Sequence, residues 1–226
     1  YLGSALQQAG LETTTAGSAG FMTGLYVVIV PVLLALFWRQ KTNWVNWIAA
    51  LIAAAGAGLL GTGGTGTIFP LHLGSGDGLV LIGSLFWALH VILVGKVINH
   101  TDVLQFAIGQ YAVCGLLQLG TAAFIDVPTW ESLRAAWWTI AYVGIFSVAI
   151  GYTLQAFGQK FSPPTDAALI LSMESVFSAV FGFLVLGERL DAIQIMGCLL
   201  ILAAIVLVQV LPGKEETREQ RVESGG

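Results

Sequence analysis

Charge is what this sequence has least of. Only 10% of its 226 residues are Asp, Glu, Lys or Arg, against about a quarter in soluble domains. Beside 56% hydrophobic residues, that scarcity excludes a soluble fold, because so many apolar side chains cannot all be enclosed in a core of this size. The net charge of −4 is spread over loops and tail, so no basic face for nucleic acid exists. Cysteine is nearly absent too. Cys114 and Cys198 lie in apolar runs, too few for a zinc site and too deep for an extracellular disulfide, and read as packing residues. No metal and no cofactor is expected, and there is no ATP-binding domain. A signal-peptide pattern is also missing at the start. The chain opens on Tyr1 rather than Met, which reads as a fragment or a processed product.

What is there is a series of apolar runs. About 20 apolar residues carry a helix across a bilayer, and the runs predict seven spans plus the last turns of another at residues 1–11. The seven are Thr13 to Phe37, Asn46 to Leu60, Leu79 to Ile98, Val103 to Phe124, Trp138 to Phe161, the run from Ala167 to Leu186, and Ala192 to Leu211. Pro31 is expected to kink the first of them. Trp44 and Trp47, and later Trp130, Trp137 and Trp138, stand where interface anchors belong. The expected fold class is therefore an all-α integral membrane protein, a multi-span helical bundle.

Orientation follows from the basic residues. Alternating connections put Arg39, Lys41, Lys96, Lys160, Lys214, Arg218 and Arg221 on one side, and only Arg134 and Arg189 on the other. The positive-inside rule makes the first side cytoplasmic. The C-terminal tail is then inside, and the loop before residue 79 is outside.

The sixth span carries one charge, Glu174. A carboxylate near mid-membrane costs about 2.5–3.5 kcal/mol on insertion scales, so it must face protein or water. Such a group can take up and release a proton as substrate binds. The bland alternative is a neutral carboxyl bonded to a neighbouring helix.

The chain also repeats itself. Shifted by 148 positions, residues 1–61 lie on 149–209 without a gap: Leu6-Gln7 on Leu154-Gln155, Gly10 on Gly158, Ala19 on Ala167, Val28 on Val176 and Leu36 on Leu184. The charge rule gives the copies opposite topology. Inverted repeats mark secondary transporters, whose site lies near the midplane at the repeat interface. Chance matching of two apolar sequences is the competing account.

Two stretches carry a resemblance to a known family: LILSMESVFSAVFGFLVLGERLDAIQIMGCLLILAAIVLV at 169–208 and TAGSAGFMTGLYVVIVPVLLALF at 15–37. The sequence resembles the EamA-type members of the drug/metabolite transporter superfamily. That resemblance implies ten helices in two inverted-topology five-helix repeats, with both ends cytoplasmic, in the cell (cytoplasmic) membrane. On that template residues 1–61 are the remainder of the first repeat, truncated at its N-terminus, with two further spans expected upstream. Residues 62–78 are an external inter-repeat loop, 79–211 the second repeat, and 212–226 a disordered cytoplasmic tail. The family commonly has Glu-Pro where this chain has Glu174-Ser175, so the kink that proline would give is not assured here.

Other motifs weigh less. GTGGTG at 61–66 matches a dinucleotide-binding pattern but has a membrane helix before it and Ile68-Phe69-Pro70 after it, so it reads as a linker. Ala49, Ala53, Ala57 and Gly61 form a small-residue stripe with Ala50, Ala54 and Gly58 beside it. Internal packing is the bland account of that stripe, and a homodimer contact the sharper one.

Polar side chains recur at mid-depth in five spans: Tyr26; Trp87 and His90; Gln110 and Tyr111, with Cys114 and Gln118; Tyr152 and Gln155, with Gln159; and Glu174. Each alone could be a helix–helix hydrogen bond. Together they suggest a cavity for a small polar or amphipathic solute. The expected function is secondary transport of a small organic metabolite. The resemblance implies efflux of amino acids or related metabolites, and Glu174 in a water-accessible cavity suggests proton coupling. An intramembrane enzyme using Glu174 with His90, or a passive channel, is the alternative; no metal-binding spacing or serine elbow supports the former, and no ring of like charges the latter. The partners expected are the solute and the lipid bilayer.

Overall fold

A computed structural model describes residues 1–14, 16–40, 42–61, 75–125, 127–187 and 191–211. The elements in chain order are α1 (Leu2–Leu11), α2 (Ala16–Gly24), α3 (Tyr26–Phe37), α4 (Trp44–Leu60), α5 (Ser75–Val97), α6 (Val103–Ile125), α7 (Trp130–Tyr142), α8 (Thr153–Gln159), α9 (Pro164–Leu171), α10 (Met173–Leu186) and α11 (Ala192–Val210). A 3₁₀ turn, Ile98–His100, follows α5, and a π-helical stretch, Val143–Tyr152, joins α7 to α8. The described residues form no strand. The GTGGTG linker from residue 62, most of the inter-repeat loop, Glu188-Arg189 and the tail 212–226 lie outside the described residues.

Six helical runs among the described residues are long and apolar enough to cross a membrane: Ser18–Phe37, Gly76–His100, Val103–Ile125, Trp130–Gln159, Pro164–Val185 and Ala192–Val210. The second expected span, α4, has 17 residues, short of the roughly 20 that cross without help. The fold is that of an all-α, multi-pass membrane protein. The fifth span begins earlier than its hydropathy suggests. Thr129 accepts a hydrogen bond from the Ser132 amide at 3.2 Å and caps a helix that starts at Trp130, so the amphipathic WESLRAAW turns are already helical.

Pro31 does not set the break in the first span. It sits buried inside α3, and the helix parts six residues earlier at Leu25, whose backbone (φ −62°, ψ −14°) separates α2 from α3. Val28 N–H then bonds the Leu25 carbonyl at 3.0 Å, a tightened i→i+3 turn. The sixth span breaks in the same way, at Ser172, with the same φ and ψ. There the Ser172 hydroxyl donates to the Leu169 carbonyl at 2.5 Å, the back-bonding that bends helices. The missing proline after Glu174 is thus made unnecessary by a serine two residues before it.

The described chain divides into two compact units: Leu93–Pro163 with Tyr1, and Leu2–Ile92 with the chain from Pro164 onward. In the larger unit α3, α4, α9, α11 and the middle of α5 share a core of small and branched side chains, among them Val27, Val30, Ala49, Ala53, Ile92, Ala168 and Ala204. The alanine stripe of α4 is therefore spent on internal packing. Gly56 of the same helix meets Gly197 of α11 backbone to backbone, the close approach that small residues allow in lipid. α11 starts with a capping box, the Asp191 carboxylate accepting from the Gln194 amide at 2.7 Å and the Gln194 side chain accepting from the Asp191 amide at 3.1 Å. Gly187, at φ +70°, takes the left-handed position that ends α10. In the smaller unit Val94, Ile98 and Ala156 are buried together. Leu116, Leu119, Phe124, Trp137 and Trp138 point outward, as side chains facing hydrocarbon would.

Candidate functional site

Four of the expected polar residues lie on the larger unit, Tyr26 and Glu174 just past the helix breaks and Trp87 and His90 on α5. Trp87 is held on two sides. Its indole N–H donates to the Gln7 side-chain carbonyl of α1 at 3.1 Å, and its ring lies over Gly3, where a Cβ would come within 3.2 Å. One turn on, His90 meets the Trp87 ring edge to face, centroids 5.9 Å apart at 87°. Gln7, Trp87 and His90 thus form a half-buried aromatic and amide surface.

Glu174 sits in the first turn of α10, two residues past the break. Its side chain is exposed and has no hydrogen-bond or ion-pair partner among the described residues. The helix dipole at that position favours a negative charge. Tyr26 is the residue that the 148-residue shift places on Glu174, and it too follows a break, as the first residue of α3. The structure puts Tyr26 in the packed core, 7% exposed, rather than on an open wall.

On the smaller unit the Tyr111 hydroxyl pairs with Thr153 at 2.9 Å and lies 3.4 Å from the Ala149 carbonyl, which also accepts from Thr153 at 2.5 Å. This carbonyl belongs to the π-helical stretch, and the two hydroxyls serve it there. Tyr152 closes that stretch, half-buried, and Gln155 donates to Gln159 one turn along at 3.4 Å. Gln110 is half-buried on α6.

Asp77, Asn46, Asp166 and Gln7 make contacts that the sequence pattern does not signal. Asp77, placed in the external loop, is in the first turn of α5 and 4% exposed. It accepts hydrogen bonds from Ser18 at 2.7 Å and from Thr14. Asn46 donates to Asp166 at 2.8 Å. Gln7 was visible only as a repeat match to Gln155, since its place against Trp87 needs the fold. The Ser-Gly-Asp-Gly run around Asp77 reads as a turn by composition, and only the acidic residue at a helix start hinted otherwise.

The described residues form a multi-pass helical membrane fold, with Tyr26 and Glu174 just past breaks in two of its spans. Residues 74–210 match the profile of the EamA-like transporter family, and the chain belongs to that family. It is similar to an "Uncharacterized transporter" of Archaeoglobus fulgidus, 29% identical over 93% of this chain and 66% of that protein. It is also similar to the chloroplastic WAT1-related protein At3g02690 of Arabidopsis thaliana, 25% identical over 91% of this chain and 51% of that one. A more distant relative is the threonine/homoserine exporter RhtA of Salmonella typhimurium, 26% identical over 58% of this chain and 43% of the exporter. The chain spans about half to two thirds of the curated relatives it matches first. One solved structure covers 91% of this chain and 71% of its own, with TM-score 0.77 at 14% identity, a likeness of fold alone.

Proposed function

We propose that the chain carries out secondary, ATP-independent transport of a small organic metabolite, as an exporter of amino acids or related metabolites, coupled to protons through Glu174. The observation that carries this reading is Glu174 itself, an exposed carboxyl with no hydrogen-bond or ion-pair partner among the described residues, just past a break in a membrane span. Ionisable groups at such positions mark substrate or proton paths, and interrupted spans in corresponding places of two copies point to the binding site. The exporter relative RhtA supports the substrate class. The Trp87, His90 and Gln7 surface offers an aromatic face and an amide, which suit an amphipathic solute. Gln110, Tyr111, Tyr152 and Gln155 are proposed as solute-lining groups of the other unit. Two inverted repeats, the cell membrane and a cytoplasmic C-terminus complete the proposal, on the seven-to-two division of basic residues. A homodimer would have to use a face other than the stripe of α4. Transport is favoured over catalysis because the family whose profile residues 74–210 match is one of transporters.

Glu174→Gln keeps the shape of the side chain and cannot titrate. In vesicles reconstituted with the protein, the variant is expected to exchange labelled amino acid across the membrane while losing accumulation driven by a pH gradient. Accumulation equal to that of the parent would remove the coupling role, and product formation or non-saturating flux would remove transport itself.

A further inference from the structure

Two hydrogen-bonded carboxylates lie apart from the proposed solute surface, and each holds the leading half of a broken span. Asp77, at the start of α5, holds α2 through Ser18 at 2.7 Å and the turn before α2 through Thr14. Asp166, at the start of α9, is held by Asn46 of α4 at 2.8 Å. Ser18 opens the span Ser18–Phe37 and Asn46 follows its far end. The two pairs are therefore separated by a 20-residue span, roughly 30 Å at the rise of a helix. All of these residues belong to the larger unit.

The half-helices behind the pairs also correspond. α2 ends at the Leu25 break and α9 at the Ser172 break, with identical backbone angles. The shift of 148 places Ser18 on Asp166 and Gly24 on Ser172. One copy supplies the hydroxyl and the other the carboxylate, at opposite ends of the unit.

We propose that these pairs are the two end latches of an alternating-access cycle. Release of Asp77 from Thr14 and Ser18 lets α2 turn about Leu25 and opens one end; release of Asp166 from Asn46 lets α9 turn about Ser172 and opens the other. A carboxylate accepting from a neutral donor holds firmly away from water and exchanges to water readily once exposed. The tightened i→i+3 turns at the breaks give each half-helix a joint without unwinding the rest. With both pairs made, the structure is latched at both ends. The proposal rests on the transport reading, but its test reads accessibility rather than flux, so the two fail separately.

Thr23, two residues before the first break, supplies the reporter. Its hydroxyl is buried and has no hydrogen-bond partner among the described residues, so Thr23→Cys is close in size. In a Cys114→Ser, Cys198→Ser background, the reporter is labelled with a membrane-impermeant maleimide added outside sealed vesicles or trapped within them. Asp77→Ala is expected to speed labelling several-fold from one side only, and Asp166→Ala from the other side only. Ser18→Ala and Asn46→Ala, each removing a single donor, repeat the two arms if a carboxylate variant does not fold. Faster labelling from the same side in both arms, from both sides at once, or from neither would overturn the latches and leave them as ordinary helix ties.

Discussion

A Cβ added to Gly56 would stand 2.7 Å from the Gly197 carbonyl oxygen, and one added to Gly197 would stand 2.6 Å from that of Gly56. Neither obstacle is the movable end of a side chain. The shortest of the seven expected spans, α4, is thus locked against α11 by backbone contact. Burial among neighbouring helices offsets the few residues by which α4 falls short of a span.

Gly197→Ala should force α4 and α11 apart. Overpacking of this kind costs about 1–3 kcal/mol, and a thermal melt of the purified protein in detergent should shift down accordingly. Gly20→Ala is the control, since a Cβ there meets nothing within 4 Å.

Ala53 is 1% exposed in the same core. Ala53→Leu is expected to lower the melting temperature of the monomer, read by fluorescence-detected gel filtration after heating. Unchanged melting with loss of a dimer peak would instead assign the stripe to an oligomer contact.

Gln7→Leu removes the acceptor of the Trp87 indole N–H. Leaving that half-buried donor unmade costs about 1–3 kcal/mol. The expected result is a raised KM for the exported solute with maximal flux little changed, because the side chain orients Trp87 rather than moving a proton.

Asp191→Ala removes the carboxylate of the capping box at the start of α11. The loss is about 1 kcal/mol, and hydrogen exchange should accelerate at the first amides of α11 while those near Ile201 keep their protection.

The span pattern was legible because hydropathy alone decides which residues can lie in lipid: Val103–Ile125 and Ala192–Val210 fall within a residue or two of their expected limits. The breaks were not. Pro31 drew attention because proline removes an amide, yet the helix tolerates it in a buried position and gives way beside Gly24 and at Ser172, where a hydroxyl competes for a backbone carbonyl. Of the site residues, Glu174 could be singled out by its cost in lipid. Tyr26 looked equivalent by depth, but depth does not tell which way a side chain faces, and this one is packed into the core. Asp77 stayed hidden because its partners, Thr14 and Ser18, are about 60 residues away along the chain.

The stretch Val143–Tyr152 bears on how this protein can vary in length. Deleting one residue from an α-helix rotates everything beyond it by about 100°, which would swing Gln155 and Gln159 off their face. A span already wound in i→i+5 turns holds surplus chain. Removing one residue there lets it relax to α-helical winding while Thr153 stays opposite Tyr111. Single-residue deletions within 143–152 should therefore be tolerated where the same deletions in α6 are not, making this the segment in which related chains can differ in length without losing the fold.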